Sequence, residues 1–253
     1  MRQPAAAVYQ AYQRWLVTQG YPEFDQYQGI YDGWLFAVKE MHVRRGPGKT
    51  CLSALERMKM GDMKKPVNNS KGCGGVMRIA PAGLAYDKKK AFTTGAEFAA
   101  ITHGHPSGYL AAGALAYIIA SIVEGSAVET AVTDSILEMK NYAGYEECSG
   151  ALKQALELAA GDLPENEAIC KLGEGWVGEE ALAIAVYCSL KHEEDFRRAL
   201  ITAVNQSGDS DSTGAITGNI LGAYLGVSKL PVEWVEKIEL KEVIIKLADD
   251  MYF

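Results

Sequence analysis

Along this chain apolar side chains recur at spacings of three and four residues and almost nowhere alternate with polar ones. Val8, Tyr12, Trp15 and Leu16 lie on one face of a helical wheel behind Pro4 and ahead of Gly20, which predicts an amphipathic helix at the start of the chain. A connector rich in Tyr and Gly follows over 21–33. Helices are then expected over 34–43 and 50–60, separated by the Gly46-Pro47-Gly48 breaker. Beyond a loop at 68–75, Ala-rich helical spacing returns over 91–102, 108–124, 127–142, 148–160, 178–191, 193–206, 212–225 and 232–252. With no stretch of period two long enough for a strand, the reading is all-α.

The connections between these segments are short and carry Gly or Pro, as at Gly125, Gly161-Asp162-Leu163-Pro164 and 226–231, the pattern of antiparallel neighbours in one helical bundle. No linker of boundary length appears, so residues 1–253 read as a single compact domain. Small residues recur inside the predicted helices, at Ala111, Ala112, Ala114 and Ala116 and again at Ala181, Ala183 and Ala185. They predict close approach of helix axes. The longest apolar run, 109–123, is short of the roughly 20 residues that cross a bilayer and reads as a buried core helix, so no membrane partner is expected.

The composition agrees with a folded globular chain: 253 residues, 48% hydrophobic and 23% charged. A net charge of -7 argues against binding a nucleic-acid backbone, and the basic runs Lys64-Lys65 and Lys88-Lys89-Lys90 read as solvated loops. Five cysteines, widely spaced and without a C-x-x-C pair, suggest neither a disulfide framework nor a thiolate zinc site. Met1-Arg2-Gln3-Pro4 enters the helical pattern without a basic-then-apolar leader, so a cytoplasmic location is expected.

Chemistry concentrates in a few places. Gly208-Asp209-Ser210-Asp211-Ser212-Thr213-Gly214 sets two carboxylates and neighbouring hydroxyls at the start of an apolar helix. Such oxygens can converge on a hard cation, although Asp and Ser at a helix start also serve as caps. Gly72-Cys73-Gly74-Gly75 can bring backbone N–H groups close to a phosphate, or can simply be a turn. Nothing around Cys73 supplies the low-pKa setting of a nucleophile. His103 and His105 precede an apolar helix, where a histidine is a ligand contact, a cap or a core residue; His42 and His192 read as surface residues. Gly46-Pro47-Gly48-Lys49-Thr50 imitates a phosphate-binding loop, but Val43 stands where the first glycine is needed and no strand precedes it. Trp176 and Trp234 read most simply as core or interface anchors, with Glu174 and Trp176 alternatively bordering a substrate pocket.

The run from Gly208 to Ala223 resembles the C-terminal metal motif of the ADP-ribosylglycohydrolase family. Asn69 to Pro81, with its Met77-Arg78 pair, resembles that family's glycine-rich substrate loop. Ile101-Thr102-His103-Gly104-His105-Pro106 resembles its Thr-His segment, and Leu172 to Val177 with Glu179-Glu180-Ala181 resembles a stretch of its bacterial members. The resemblance implies an orthogonal helical bundle and a hydrolase that cleaves the glycosidic bond between ADP-ribose and a modified protein or small conjugate. It also implies a binuclear Mg²⁺ or Mn²⁺ site. Asp209, Asp211 and Ser212 would be metal ligands, Asp209 and Asp211 catalytic, and Gly72, Cys73, Gly74, Gly75 and His103 would contact substrate. Both aspartates are expected to point into the bundle centre, facing that loop. The family's N-terminal Thr/Ser-Asp-Asp run is not found here, so an N-terminal truncation is expected, with Glu174, Glu179 or Glu180 as conceivable substitute ligands. Two outcomes stay open: a working hydrolase, or a weak or inactive relative that binds ADP-ribose or is only structural. Apolar faces left open by truncation would pair two copies as a homodimer.

Overall fold

A computed structural model describes residues 4–252. Among them are thirteen α-helices, four short 3-10 turns and no strand beyond one isolated bridge between Gly72 and Val177. In chain order the helices are α1 (Pro4–Thr18), α2 (Lys49–Glu56), α3 (Ala80–Ala85), α4 (Lys88–Ala100), α5 (Pro106–Val123), α6 (Val128–Met139), α7 (Glu146–Ala160), α8 (Glu165–Leu172), α9 (Gly178–Lys191), α10 (Phe196–Val204), α11 (Ser210–Leu225), α12 (Val232–Val235) and α13 (Lys241–Tyr252).

The bundle is built around α5. This helix carries no charged residue, and its buried positions run almost without break from Ser107 to Ile122. Helices α3, α4, α6, α7, α9 and α11 surround it. Its length and composition would suffice to cross a membrane, but nearly all of it is inside the protein, which identifies it as a core helix. The predicted close approach is visible where α4 meets α5. A Cβ added at Gly95 would lie 2.8 Å from Ala116 Cβ and 3.0 Å from Ala112 O, so only glycine lets the two backbones come this near. Ala111, Ala112, Ala114 and Ala116, with Ala181, Ala183 and Ala185 of α9, are fully buried.

Several segments differ from the sequence reading. Residues 34–43 form turns and a 3-10 turn at Lys39–Met41 instead of an α-helix. Their apolar residues are consecutive, not spaced by three and four, so no face forms; Phe36 instead packs beside Tyr31 and His42. Helix α2 stops at Glu56, and Met58 adopts a positive φ of 53° that ends the turn. Helix α8 was not anticipated because only Ala168, Ile169 and Leu172 are buried on its short length. The expected helix over 232–252 is split into α12 and α13, with Leu240 at φ 59° between them.

Candidate active site

Three segments far apart in sequence meet at one end of α5. The first is the loop around Cys73, whose 3-10 turn Cys73–Gly75 is held from below by the 174–178 segment. Cys73 N–H donates to Trp176 O at 3.2 Å, and Gly178 N–H to Lys71 O at 2.8 Å. The second is the start of α11. Asp209 N–H donates to Glu174 O at 2.8 Å, and a Cβ on Gly208 would lie only 1.9 Å from that same oxygen. Glycine at 208 is therefore what lets the 174–175 backbone rest on the turn entering α11. The third is the 101–105 corner, where His103 lies beneath the glycine loop: a Cβ on Gly74 would stand 3.3 Å from its Nε2, and one on Gly72 3.7 Å.

Asp209 caps α11 by accepting from Ser212 N–H at 3.3 Å, so the capping role is real and coexists with the site. Its other oxygen accepts from Cys73 Sγ–H at 2.7 Å, while Ser212 Oγ sits 3.4 Å from Cys73 Sγ and 3.5 Å from Met77 Sδ. Asp211 does not share this burial. Asp209 is 5% exposed, whereas Asp211 faces solvent, which corrects the expectation that both point into the bundle centre. Two residues are little more than half a helical turn, so the positions point to different sides of the axis and only the cap position turns inward. They remain within hydrogen-bonding reach. The bond to Asp209 holds the Asp211 carboxyl above the usual range, with burial adding to it. Burial alone would raise Asp209 too, but its bonds from Asp211, Cys73 and Ser212 bring it below the usual range.

The remaining candidates divide. Burial, and then the neighbouring Asp209 carboxylate, push the Cys73 thiol up to about 12, so it is a hydrogen-bond donor and not a nucleophile. Of the loop N–H groups, those of Gly72 and Cys73 are already bonded, to Ser70 Oγ and Trp176 O, and do not reach outward as expected. Gly74 and Gly75 stand in the first turn of a 3-10 helix, where N–H groups have no intrahelical acceptor. His103 is 1% exposed, and burial followed by the Arg78 charge pushes it down to about 3. His105 is a cap, accepting from Ser107 N–H at Nδ1. Thr213 Oγ1 is turned away from the site, bonding to Ala203 O of α10 at 2.8 Å and to Asp209 O at 3.0 Å.

Two of the three suggested substitute carboxylates are engaged elsewhere, and the third, Glu174, is exposed. Glu180 accepts from the N–H groups of Glu174 and Gly175, each at 3.1 Å, and Glu179 is buried against Lys71 Nζ at 2.6 Å. Lys71 also pairs with Glu147, which in turn accepts from Ser107 Oγ. This network ties the loop to α5, α7 and α9. Sequence reasoning missed it because its members are spread along the chain without local spacing. It missed as well the chain from Arg78 through Thr102 to His103, although all three residues stood inside motifs already singled out. Trp176 is 58% exposed at the edge of the site, the bordering position and not a core anchor; Trp234 lies under the Arg197 guanidinium and meets Phe196 edge-on. His192 is not a free surface residue either, since its Nε2 lies 2.8 Å from Glu165 in a partly buried cluster with Thr202.

Asp209, Asp211 and Ser212 offer the hard oxygen donors that suit Mg²⁺ or Mn²⁺, and the two carboxylates crowd each other in a way that a cation would relieve. In that sense the residues fit a divalent metal. Among the described residues, however, no group of three or more His, Cys, Asp or Glu forms a metal cluster.

The sequence model of the ADP-ribosylglycohydrolase family matches residues 2–253. The human ADP-ribosylhydrolase ARH3 is 30% identical over 211 residues, covering 72% of this chain and 58% of that protein. The mouse protein of the same name is 28% identical over 245 residues, covering 82% and 66%. The ADP-ribosylarginine hydrolase Tri1 of Serratia proteamaculans (strain 568) is 25% identical over 186 residues, 72% of this chain and 46% of that protein. A solved structure described as an ADP-ribosylglycohydrolase-related protein complex shares the fold with a TM-score of 0.63 at 24% identity, covering 96% of this chain and 80% of the other. The chain thus spans 58% to 66% of the length of the mammalian relatives it matches.

Proposed function

The chain belongs to the ADP-ribosylglycohydrolase family, and from that premise we propose that it hydrolyses the bond between ADP-ribose and a modified protein side chain or small conjugate. The reaction adds water across one glycosidic bond. The water oxygen bonds to the anomeric carbon, the bond to the leaving nitrogen or oxygen breaks, and the leaving atom takes up a proton. The observation that carries the reading is the convergence of the Cys73 loop, His103 and Asp209 from three distant segments.

In this reading Gly74 and Gly75 offer N–H groups to a diphosphate oxygen. Asp209 and Asp211 set negative charge beside the ribose, where it stabilises an oxocarbenium-like transition state. A divalent cation, Mg²⁺ or Mn²⁺, held by Asp209, Asp211 and Ser212 would polarise the ribose hydroxyls and water. Five free thiols suit a reducing cytoplasm.

A second reading, an ADP-ribose binder with little turnover, is favoured by one specific observation: the described residues hold no cluster of three metal-ligating side chains. Release of ADP-ribose from ADP-ribosylarginine and from an O-linked conjugate, assayed with Mn²⁺ and with Mg²⁺, separates the two. Turnover that drops by about 100-fold or more in Asp209→Ala supports the hydrolase, in keeping with the size of electrostatic contributions in such sites. Tight ADP-ribose binding with no release from either substrate would replace it by the binder.

A further inference from the structure

We propose that Arg78 and Thr102 are positioning residues that fix His103 as its Nε2–H tautomer, making it a neutral hydrogen-bond donor under the glycine loop for an acceptor oxygen of the bound ligand. The inference deepens the proposed function and rests on it for the identity of the ligand, an ADP-ribose, but not for the state of the ring.

The argument follows from which groups can donate. Arg78 Nη2 lies 2.7 Å from Thr102 Oγ1, and a guanidinium has only donors, so the hydroxyl oxygen accepts there. The same hydroxyl lies 2.8 Å from His103 Nδ1. The hydroxyl oxygen can accept twice, but its one proton has no other acceptor among the described residues than Nδ1, so the hydroxyl donates there and Nδ1 is the acceptor nitrogen. A neutral imidazole with an acceptor at Nδ1 carries its proton on Nε2.

Arg78 itself is held firmly. Its guanidinium lies 4.4 Å over the Tyr12 ring, and Nη1 donates to Cys51 Sγ at 3.0 Å. No carboxylate pairs with it among the described residues, so its full charge stays beside the histidine and opposes a second proton there. Burial works in the same direction.

Nε2 is the group left over. Among the described residues it has no hydrogen-bond partner, although the side chain is almost wholly buried. It lies against Gly72 and Gly74, one residue to either side of the Cys73 that meets Asp209. Nε2 is not one of the sealed polar atoms that lack a partner in this fold, so it keeps an opening at the loop through which an oxygen of a ligand settling there would accept its proton.

The wild-type chain decides the first part without any variant. Nitrogen-15 NMR of histidine-labelled protein should give His103 a protonated, pyrrole-like Nε2 and an unprotonated Nδ1 throughout pH 5 to 8. An Nδ1–H ring, or a doubly protonated one, overturns the proposal. Thr102→Val keeps the shape but removes the hydroxyl; it should mix the tautomers and weaken ADP-ribose binding about ten-fold, the worth of one hydrogen bond, and Thr102→Ser should restore both. Unchanged tautomer or unchanged affinity in Thr102→Val sinks the positioning role. If the wild-type chain shows the expected ring yet binds no ADP-ribose, the relay stands and the proposed function is what fails.

Discussion

Helices α5 and α13 both carry long aliphatic side chains, yet one is the centre of the protein and the other lies almost free on its surface. In α5 the run Leu110, Leu115, Ile118, Ile119 is fully buried, whereas Ile244 and Ile245 of α13 are 46% and 44% exposed. Charge is the first difference: α5 has no charged side chain, whereas α13 carries Lys241, Glu242, Lys246, Asp249 and Asp250. The second is the presence of Gly and Ala between the large residues of α5, which lets α4, α9 and α11 come close enough to exclude water. Helix α13 spaces its apolar residues with Lys, Asp and Glu, and its visible ties are surface ones: Lys246 over the Trp34 ring at 4.8 Å and, just ahead of it, Glu239 with Arg45 at 2.6 Å. Such exposed pairs contribute little. The candidate site is built on the first kind of packing, which is why its backbone contacts are so close.

The sharpest way to break this contrast is to enlarge Gly95. Gly95→Val would put side-chain atoms where Ala116 and the Ala112 carbonyl already sit, and backbone on both sides cannot yield as a flexible side chain would. We expect a loss of about 3 kcal/mol in urea unfolding. A loss under about 1 kcal/mol would show that α4 and α5 can slide apart at little cost, and the centre would then not differ in kind from the periphery.

Next in size is a pH effect. His103 is held neutral in the folded chain down to about 3, whereas in the unfolded chain it protonates near 6.5. Above pH 6.5 neither state binds the proton. As pH falls below 6.5 the unfolded state takes it up and the folded state does not, so stability drops until about pH 3, below which both are protonated. Comparing wild type with His103→Gln between pH 5.5 and 4.5, the wild type should lose about 1.4 kcal/mol more, the slope of one proton per molecule. Parallel curves would place the ring in contact with solvent and deny it the packing seen at the centre.

A smaller effect is expected at Cys73. With its thiol pushed up to about 12, it should resist iodoacetamide at pH 8, and Cys73→Ser, which keeps a donor facing Asp209, should alter stability by under about 1 kcal/mol. Rapid alkylation would mean a thiolate, and a different role for the loop.

The same contrast explains how much could be read in advance. The helices of the centre were legible because burial on all sides demands an unbroken apolar and small-residue pattern, and residues such as Ala112 and Ala183 announce it. Segment 34–43 and the break at Leu240 were not, because exposed chain is shaped by local turns and a few side-chain contacts that leave no periodicity. At the site, the motifs named the segments that meet: Asp209, Cys73 and His103. They could not say that Asp211 faces outward, since a cap residue and the second residue after it point to different sides of the helix, and which side is inward depends on partners elsewhere in the chain. Thr102 and Arg78 were hidden for a related reason. Their roles lie in hydrogen bonds across the fold, and no spacing rule records those.

The least effect should come from the periphery itself. Ile244→Ser on α13 removes an aliphatic side chain that is already nearly half in water, at a position where no buried neighbour would be left facing a cavity. A surface change of this kind is worth about 0.5 kcal/mol or less, against the 2 to 5 kcal/mol typical, in round terms, of emptying a core position. Hydrogen exchange gives an independent reading: amides of α13 should exchange through local opening well before those of α5, which wait for global unfolding. If Ile244→Ser instead costs as much as a core deletion, or if α13 and α5 amides exchange together, then α13 is covered in solution. The face carrying Ile244 and Ile245 would then belong to the cooperative unit, and the division drawn between these two helices would be one of visible contacts only.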